Sequence, residues 1–139
     1  MSATIVWFAT IQHIVWGLLL IPTGVALNAT ALSAFREHSE HHVLIAVLLF
    51  TAAACAALGL TRPTLGWRSM LLMLPQQAIL TVSAVTALLA ITTGRYGDGV
   101  ERPQAFIAAD QLPVILLLVF YTVAVIDLHL PPARRINGG

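Results

Sequence analysis

Four long apolar blocks, at residues 4–32, 43–60, 70–92 and 105–130, alternate with short polar segments along the chain. At the helical rise of 1.5 Å per residue, each block is long enough to cross a hydrocarbon core about 30 Å thick. None of the blocks carries the polar outward face that a helix of a soluble bundle needs. The pattern therefore predicts an all-α fold: an integral membrane four-helix bundle with short loops, forming a single transmembrane domain over residues 1–139.

The amino-acid composition is also typical of an integral membrane protein. Of its 139 residues, 58% are hydrophobic and 9% are charged, against about 25% charged residues in an average soluble domain. No Lys or Arg precedes the first block, so it lacks the basic region of a cleaved signal and is expected to remain a span. Nucleic-acid binding is excluded as a class because the chain has no basic patch.

The arginines predict an orientation. An even number of spans places the termini and the middle connection on one face, with Arg62, Arg68, Arg134 and Arg135, against three arginines on the other face. The excess of basic residues marks the cytoplasmic side. All seven basic residues are Arg, and alanine is abundant, which is typical of a GC-rich bacterial or phage gene. We therefore expect a bacterial cytoplasmic membrane protein with both termini in the cytoplasm.

Polar residues inside the spans are the most informative feature. Counted at 1.5 Å per residue from the face that holds the termini, His13, Gln76 and Tyr121 lie about 10 to 13 Å deep. Gln12 and Gln77 accompany them. Five polar side chains from three spans therefore share one leaflet, and we call Gln12, His13, Gln76, Gln77 and Tyr121 the polar layer.

Two interpretations of the polar layer remain open. Pro22 and Pro75 each remove a helical N–H, freeing the carbonyls of Leu18 and Leu71, and the amides that follow Pro75 are well placed to satisfy neighbouring helices. In that case the layer joins helices. Strongly polar groups in a span also mark function, and the layer is alternatively a pocket for a lipid, a quinone or another amphipathic ligand.

His13 is expected to donate to a carbonyl of a neighbouring span and to accept from Gln76 or Tyr121. Its alternatives are a proton carrier or a metal or haem ligand. A haem held by two histidines is disfavoured, because His129 lies roughly 10 Å shallower than His13.

Two acidic residues of the fourth block receive structural interpretations. Asp127 is expected to meet Arg134, Arg135 or interfacial water, while Asp127 and His129 should point to nearly opposite faces of their helix. Asp110 is expected in the first turn of the fourth span, before Pro113, where an acid complements the helix dipole.

The segment REHSEHHV at residues 36–43 could bind a metal. If it is helical, His38, His41 and His42 share a face suited to zinc or copper. Ser39 offers the simpler account that we favour, as the N-cap of the second span. In that span, pairs of small residues four positions apart, such as Ala52 and Ala56, predict close packing of another helix of the chain or, alternatively, a contact in an oligomer.

Three functions from different classes follow. The first is a non-catalytic subunit or partner of a larger membrane assembly, contacting the lipid bilayer and another membrane protein or a second copy, with lipid or quinone bound in the polar layer. The second is a redox, quinone-binding or lipid-modifying enzyme subunit, although no arrangement of nucleophile, base or metal ligands is compelling. The third is a pore former or transporter of the phage holin type, although no span shows a regular polar stripe.

Overall fold

The computed structural model describes residues 1–22, 40–95 and 103–130. Within these ranges the chain forms four α-helices and one short 3₁₀ helix, Pro63–Leu65, between the second and third. The α-helices are α1 Ser2–Leu20, α2 His42–Thr61, α3 Trp67–Thr93 and α4 Gln104–Leu128. All four are long and apolar enough to span a membrane, which confirms the predicted all-α membrane bundle.

The first helix is shorter than the block that predicted it. α1 ends at Leu20, and Ile21 and Pro22 form a turn. Pro22 has no N–H to donate to the carbonyl of Leu18, so α1 ends before it. The sequence had instead predicted that Pro22 lies inside the first helix. The rest of the predicted block, residues 23–32, lies outside the described residues. At 19 residues, α1 still measures about 28 Å, close to the thickness of the hydrocarbon core.

The helices form a closed antiparallel ring in which α1 packs on α2, α2 on α3, α3 on α4 and α4 on α1. The third helix contains Pro75 and the fourth contains Pro113 without ending at either. α3 ends instead at Gly94, whose left-handed conformation at φ 72° places its N–H on the carbonyl of Ala90. Glycine adopts this conformation without a steric penalty.

Small residues bring α2 close to its neighbours, as the sequence predicted. Ala52, Ala53 and Ala56 are buried, and a Cβ placed on Gly59 would lie 2.9 Å from the backbone oxygen of Ser69 on α3. A side chain at position 59 would therefore push two helices apart. The crowded face of α2 serves packing within this chain.

Hydrogen bonds between helices fix the positions of the helices along the bundle axis. Thr10 is bonded to Gln76, Gln76 to Tyr121, and His42 to Leu20. The depth scale measures distance along the axis from Ser2, at about 1.5 Å per residue. On it, Thr10, Gln76 and Tyr121 lie at about 12 Å, and Leu20 and His42 at about 27 Å.

Candidate functional site

The centre of the polar layer is a chain of hydrogen bonds across three helices. The Tyr121 hydroxyl donates to Oε1 of Gln76 at 2.8 Å, and Nε2 of Gln76 donates to Oγ1 of Thr10 at 3.2 Å. The hydroxyl of Thr10 in turn donates to the carbonyl of Val6 at 2.8 Å. All three side chains are buried, so both ends of the Gln76 amide are satisfied inside the protein.

The tyrosine also approaches the backbone of α3. The Tyr121 hydroxyl lies 3.3 Å from the carbonyl of Met73, in the turn of α3 that precedes Pro75. The carbonyl that Pro75 frees is that of Leu71, four residues earlier, so the tyrosine does not replace the bond that the proline removes.

A second link joins the same two helices nearer the surface. Nε2 of Gln77 donates to Oγ1 of Thr122 at 2.8 Å, and the Thr122 hydroxyl donates to the carbonyl of Leu118 at 2.8 Å. Both side chains are half-buried. Gln76 and Gln77 therefore bind different residues of α4, Tyr121 and Thr122, rather than each other or one shared group.

The structure brings together only part of the predicted layer. Gln76 and Tyr121 are bonded, Gln77 bonds a different residue, and no hydrogen bond joins the half-buried Gln12 to the other four. Thr10 was missed. Threonine usually bonds its own helix in a span, and Thr10 does so while also accepting from Gln76, a double role that its position in the sequence does not reveal.

His13 differs from its expected role. Nδ1 lies 2.7 Å from the carbonyl of Ala9, one turn earlier in α1, not from a carbonyl of another span. A carbonyl only accepts, so Nδ1 carries the proton and Nε2 of the neutral ring is an acceptor. That Nε2 atom is buried with no hydrogen-bond partner. The expected partners, Gln76 and Tyr121, lie about 4.5 Å shallower along the axis and are already bonded to each other.

A second polar cluster closes the bundle at the end where α1 begins. The hydroxyl of Ser2 donates to Oδ2 of Asp127 at 2.7 Å, and both residues are buried. Because Asp127 is buried, it does not face interfacial water, which was one expected alternative. The other expected partners, Arg134 and Arg135, lie outside the described residues, so that expectation stays a prediction. The Asp127 carboxyl lies at the amino end of α1, where the helix dipole favours negative charge.

The neighbouring histidine faces a different helix, as its spacing from Asp127 predicted. Nε2 of His129 lies 2.5 Å from Oγ of Ser69 on α3, and Nδ1 lies 2.7 Å from the carbonyl of Val125. On the depth scale His129 is about 16 Å from His13, so these two rings cannot share one haem iron.

The histidine-rich segment is described only from Glu40 onward, and Ser39 and His38 lie outside the described residues. α2 begins at His42 with His41 at the N-cap position and no side-chain cap. Nδ1 of His42 lies 2.6 Å from the carbonyl of Leu20, so it satisfies the last turn of α1. In the parts of the chain that the structure describes, no group of three or more His, Cys, Asp or Glu residues could hold a metal.

Two further polar residues are buried toward the other end, and the sequence did not single them out. Ser83 and Gln111 are 2% and 1% exposed, and lie at about 22 and 27 Å on the depth scale. Asp110, expected in the first turn, is the seventh residue of α4 because the helix begins at Gln104. Its Oδ2 accepts from Nε2 of Gln111 at 2.7 Å. Serine and glutamine amid apolar residues give no periodic signal from which burial could be read.

Comparison with protein-family models, with curated proteins and with solved structures gave no match for this chain.

Proposed function

We propose that this chain is a non-catalytic helical subunit or partner protein of a larger assembly in a bacterial cytoplasmic membrane, with both termini on the cytoplasmic side. The observation that carries the proposal is the bonding of the polar layer to itself. The side-chain amide of Gln76 is hydrogen-bonded to Thr10 and Tyr121, and that of Gln77 is hydrogen-bonded to Thr122. The layer thus supports a role in fixing the relative positions of α1, α3 and α4, rather than in presenting polar groups to a quinone.

The outer surface supports the same proposal. Large apolar side chains are half exposed along every helix, such as Leu48, Leu88 and Leu116. Only about a third of each spanning segment is buried inside the bundle. A rigid bundle with a wide apolar exterior packs against other helices by van der Waals contact, which is how helices associate in lipid.

One region of that exterior is concave. A groove of about 160 Å³ lies between α2 and α3 and is lined by Ile45, Leu48, Leu49, Ala78, Ile79 and Val82. A cavity of roughly 150 Å³ is large enough for a benzene ring. The groove therefore fits one large apolar side chain of a partner helix, and we place the partner contact there.

Site-specific photocrosslinking in native membranes tests the proposal. A photoreactive residue at Leu48, on the rim of the groove, is compared with one at Leu116 on α4. The two positions are similarly exposed, at 53% and 47%, and both lie at about 18 to 20 Å on the depth scale. We expect a protein adduct of one defined mass at position 48 and only lipid adducts at position 116. Filling the groove with Ala78→Leu should abolish the protein adduct.

The alternative outcomes are distinct. Lipid adducts alone at both positions would overturn the assembly role and favour a protein that acts by itself in the bilayer. Protein adducts of the chain's own mass would assign the partner as a second copy.

A further inference from the structure

In the part of the chain that the structure describes, two buried polar atoms stand out because neither has a hydrogen-bond partner there. They are Nε2 of His13 on α1 and Oγ of Ser83 on α3. The residues are 4% and 2% exposed. A buried polar group without a partner has lost its hydrogen bonds to water and gained none, so a pair of such atoms in one interior needs an explanation.

Other hydroxyls of this protein bond to the backbone of their own helix, whereas the Ser83 hydroxyl does not. Thr51, Thr81 and Thr92 each donate to the carbonyl four residues earlier in the helix, at 2.7 to 3.0 Å. Such back-bonding is the usual way to satisfy a hydroxyl in a span. Ser83 has a carbonyl at the same position of its own helix, yet its Oγ makes no hydrogen bond to it.

The two residues lie on helix faces that are turned toward each other across the bundle. The bond between Thr10 and Gln76 shows that α1 and α3 meet across the bundle. From that bond, His13 is three residues deeper and Ser83 seven, a difference of about 6 Å along the axis. One water with its tetrahedral angle bridges two groups about 4.5 Å apart, whereas two hydrogen-bonded waters in a row span about 5 to 7 Å.

Further polar residues follow Ser83 toward only one side of the membrane, the side on which α4 begins. Gln111 lies about 4.5 Å beyond Ser83 on the depth scale, and it bonds Asp110, which is half-buried near the membrane boundary. In the other direction, Val6, Ala56, Met73 and Val125 form a buried apolar cluster, at about 6 to 8 Å on the same scale. That cluster separates the polar layer from Ser2 and Asp127.

We propose that His13 and Ser83 form a buried binding site for water, reached from the face at which α4 begins, and that His13 exchanges protons with that face alone. Water donates to Nε2 of the neutral ring and accepts from the Ser83 hydroxyl. A proton carried in on this water forms an N–H bond at Nε2 and leaves from the same atom, since the proton on Nδ1 is held by the Ala9 carbonyl. The site therefore stores a proton and does not conduct one across the membrane.

The side chains that surround the His13 ring supply no protein donor for Nε2, so we take water to be its partner. The buried face of α2 consists of Ile45, Ala46, Leu49, Ala52, Ala53, Ala56 and Gly59, which offers no titratable side chain. On α3 the nearest polar groups are Gln76 and Ser83. The titratable side chains of α4 are Tyr121, bonded to Gln76, and Asp110 and Asp127, which lie about 12 to 14 Å from His13 along the axis in opposite directions.

Solid-state NMR of the full chain in lipid bilayers tests this, with uniformly ¹⁵N-labelled protein and magnetisation transferred from water. The His13 signal is assigned by its loss in His13→Gln. We expect rapid transfer from water to Nε2 of His13, approaching that of the exposed His41 and far above that of the backbone amide of Ala56 in the apolar cluster. Ser83→Ala should reduce the transfer several-fold. Thr81→Val is the matched control, because it removes a lipid-facing hydroxyl two residues away, and should change nothing.

Each result decides a part of the proposal. Transfer to His13 as weak as that to Ala56 would show a dry interior and overturn the site. Loss of transfer in Thr81→Val as well as in Ser83→Ala would assign the effect to altered packing and also overturn it. Gln111→Leu should slow deuterium exchange at His13; an unchanged rate, with Ser83→Ala still effective, would overturn the one-sided route.

Discussion

The hydroxyl of Tyr121 on α4 donates to Oε1 of Gln76 on α3 at 2.8 Å, in the interior of the bundle and next to a carbonyl in the turn before Pro75. Neither side chain reaches lipid. In a membrane, interhelical hydrogen bonds contribute only about 0.6 kcal/mol on average and up to about 1.7, because the separated helices find other partners. The pair therefore sets the position of α4 against α3 more than it sets overall stability.

The first prediction is a double-mutant cycle of Tyr121→Phe and Gln76→Leu. Each change alone should lower the free energy of unfolding by about 0.6 to 2 kcal/mol, and the coupling between them should not exceed about 1.7 kcal/mol. Reversible unfolding in mixed micelles measures both. Gln12→Leu is the control, since Gln12 makes no bond to the pair. A bound lipid or quinone that leaves in Gln76→Leu, without loss of stability, would show instead that the layer is a ligand site.

The structure and the sequence agree best where composition decides the outcome. Length and apolarity define four spans with few alternatives, because backbone polar groups in lipid must bond within a helix. The shared depth of Gln76 and Tyr121 follows from counting residues, and they are indeed bonded. Their rotation about the helix axis does not follow from counting, which is why Gln77 was assigned to the same site although it faces Thr122. His13 was given the right depth and the wrong partners for the same reason.

The ends of helices were predicted less well. Ser39 was expected to cap α2, yet the helix begins at His42 and the bond that matters runs from His42 to Leu20 of another helix. Asp127 was expected to pair with Arg134 or Arg135, which lie outside the described residues, so that expectation stays a prediction. Its hydrogen bond with Ser2, 125 residues away, was not predicted and is found only by comparing depths across the bundle.

The second prediction concerns two glycines that differ in what lies beside them. A Cβ on Gly17 would lie 2.6 Å from Cε1 of Phe50, whereas one on Gly59 would lie 2.9 Å from the backbone oxygen of Ser69. Both Gly17→Ala and Gly59→Ala should destabilise the bundle, by about 1 to 3 kcal/mol for overpacking. Phe50→Leu should recover much of the loss at Gly17, because a side chain can be replaced, but nothing at Gly59. Equal recovery at both glycines would contradict this account of the packing.

The third prediction separates the two described histidines of the 36–43 segment. His42→Ala should lower the free energy of unfolding by about 1 kcal/mol, because it removes a bond to the carbonyl of Leu20 at the end of α1. His41→Ala should have little effect, since its contact with Glu40 is a solvent-exposed pair at 3.6 Å. Thermal unfolding in detergent compares the two. Zinc or copper that co-purifies in stoichiometric amount and is lost in both variants would restore the metal hypothesis.

The fourth prediction concerns orientation. In a Cys55→Ala background, single cysteines at Thr64, between α2 and α3, and at Gln104, at the start of α4, must lie on opposite sides because α3 runs between them. Both positions are exposed. In sealed right-side-out vesicles, an impermeant thiol reagent should label position 104 and not position 64, as the arginine excess at Arg62 and Arg68 requires. Labelling of both would show that α3 does not span, and the reverse pattern would place the termini outside.

The fifth prediction concerns Ser2 and Asp127, whose contact joins the first turn of α1 to the last turn of α4. Asp127→Leu should be more disruptive than Ser2→Ala. It leaves the amino end of α1 without the carboxyl that complements its dipole, a loss of up to about 2 kcal/mol in a partly buried geometry, whereas Ser2→Ala removes one hydrogen bond worth about 1 kcal/mol. Asp127→Asn keeps an acceptor for Ser2 and should fall between the two. Hydrogen exchange of the first amides of α1 is the measurement, because fraying there precedes global unfolding. Equal protection of these amides in Asp127→Leu and in the unaltered protein would show that the carboxyl does not stabilise α1, and that its burial against Ser2 serves another purpose.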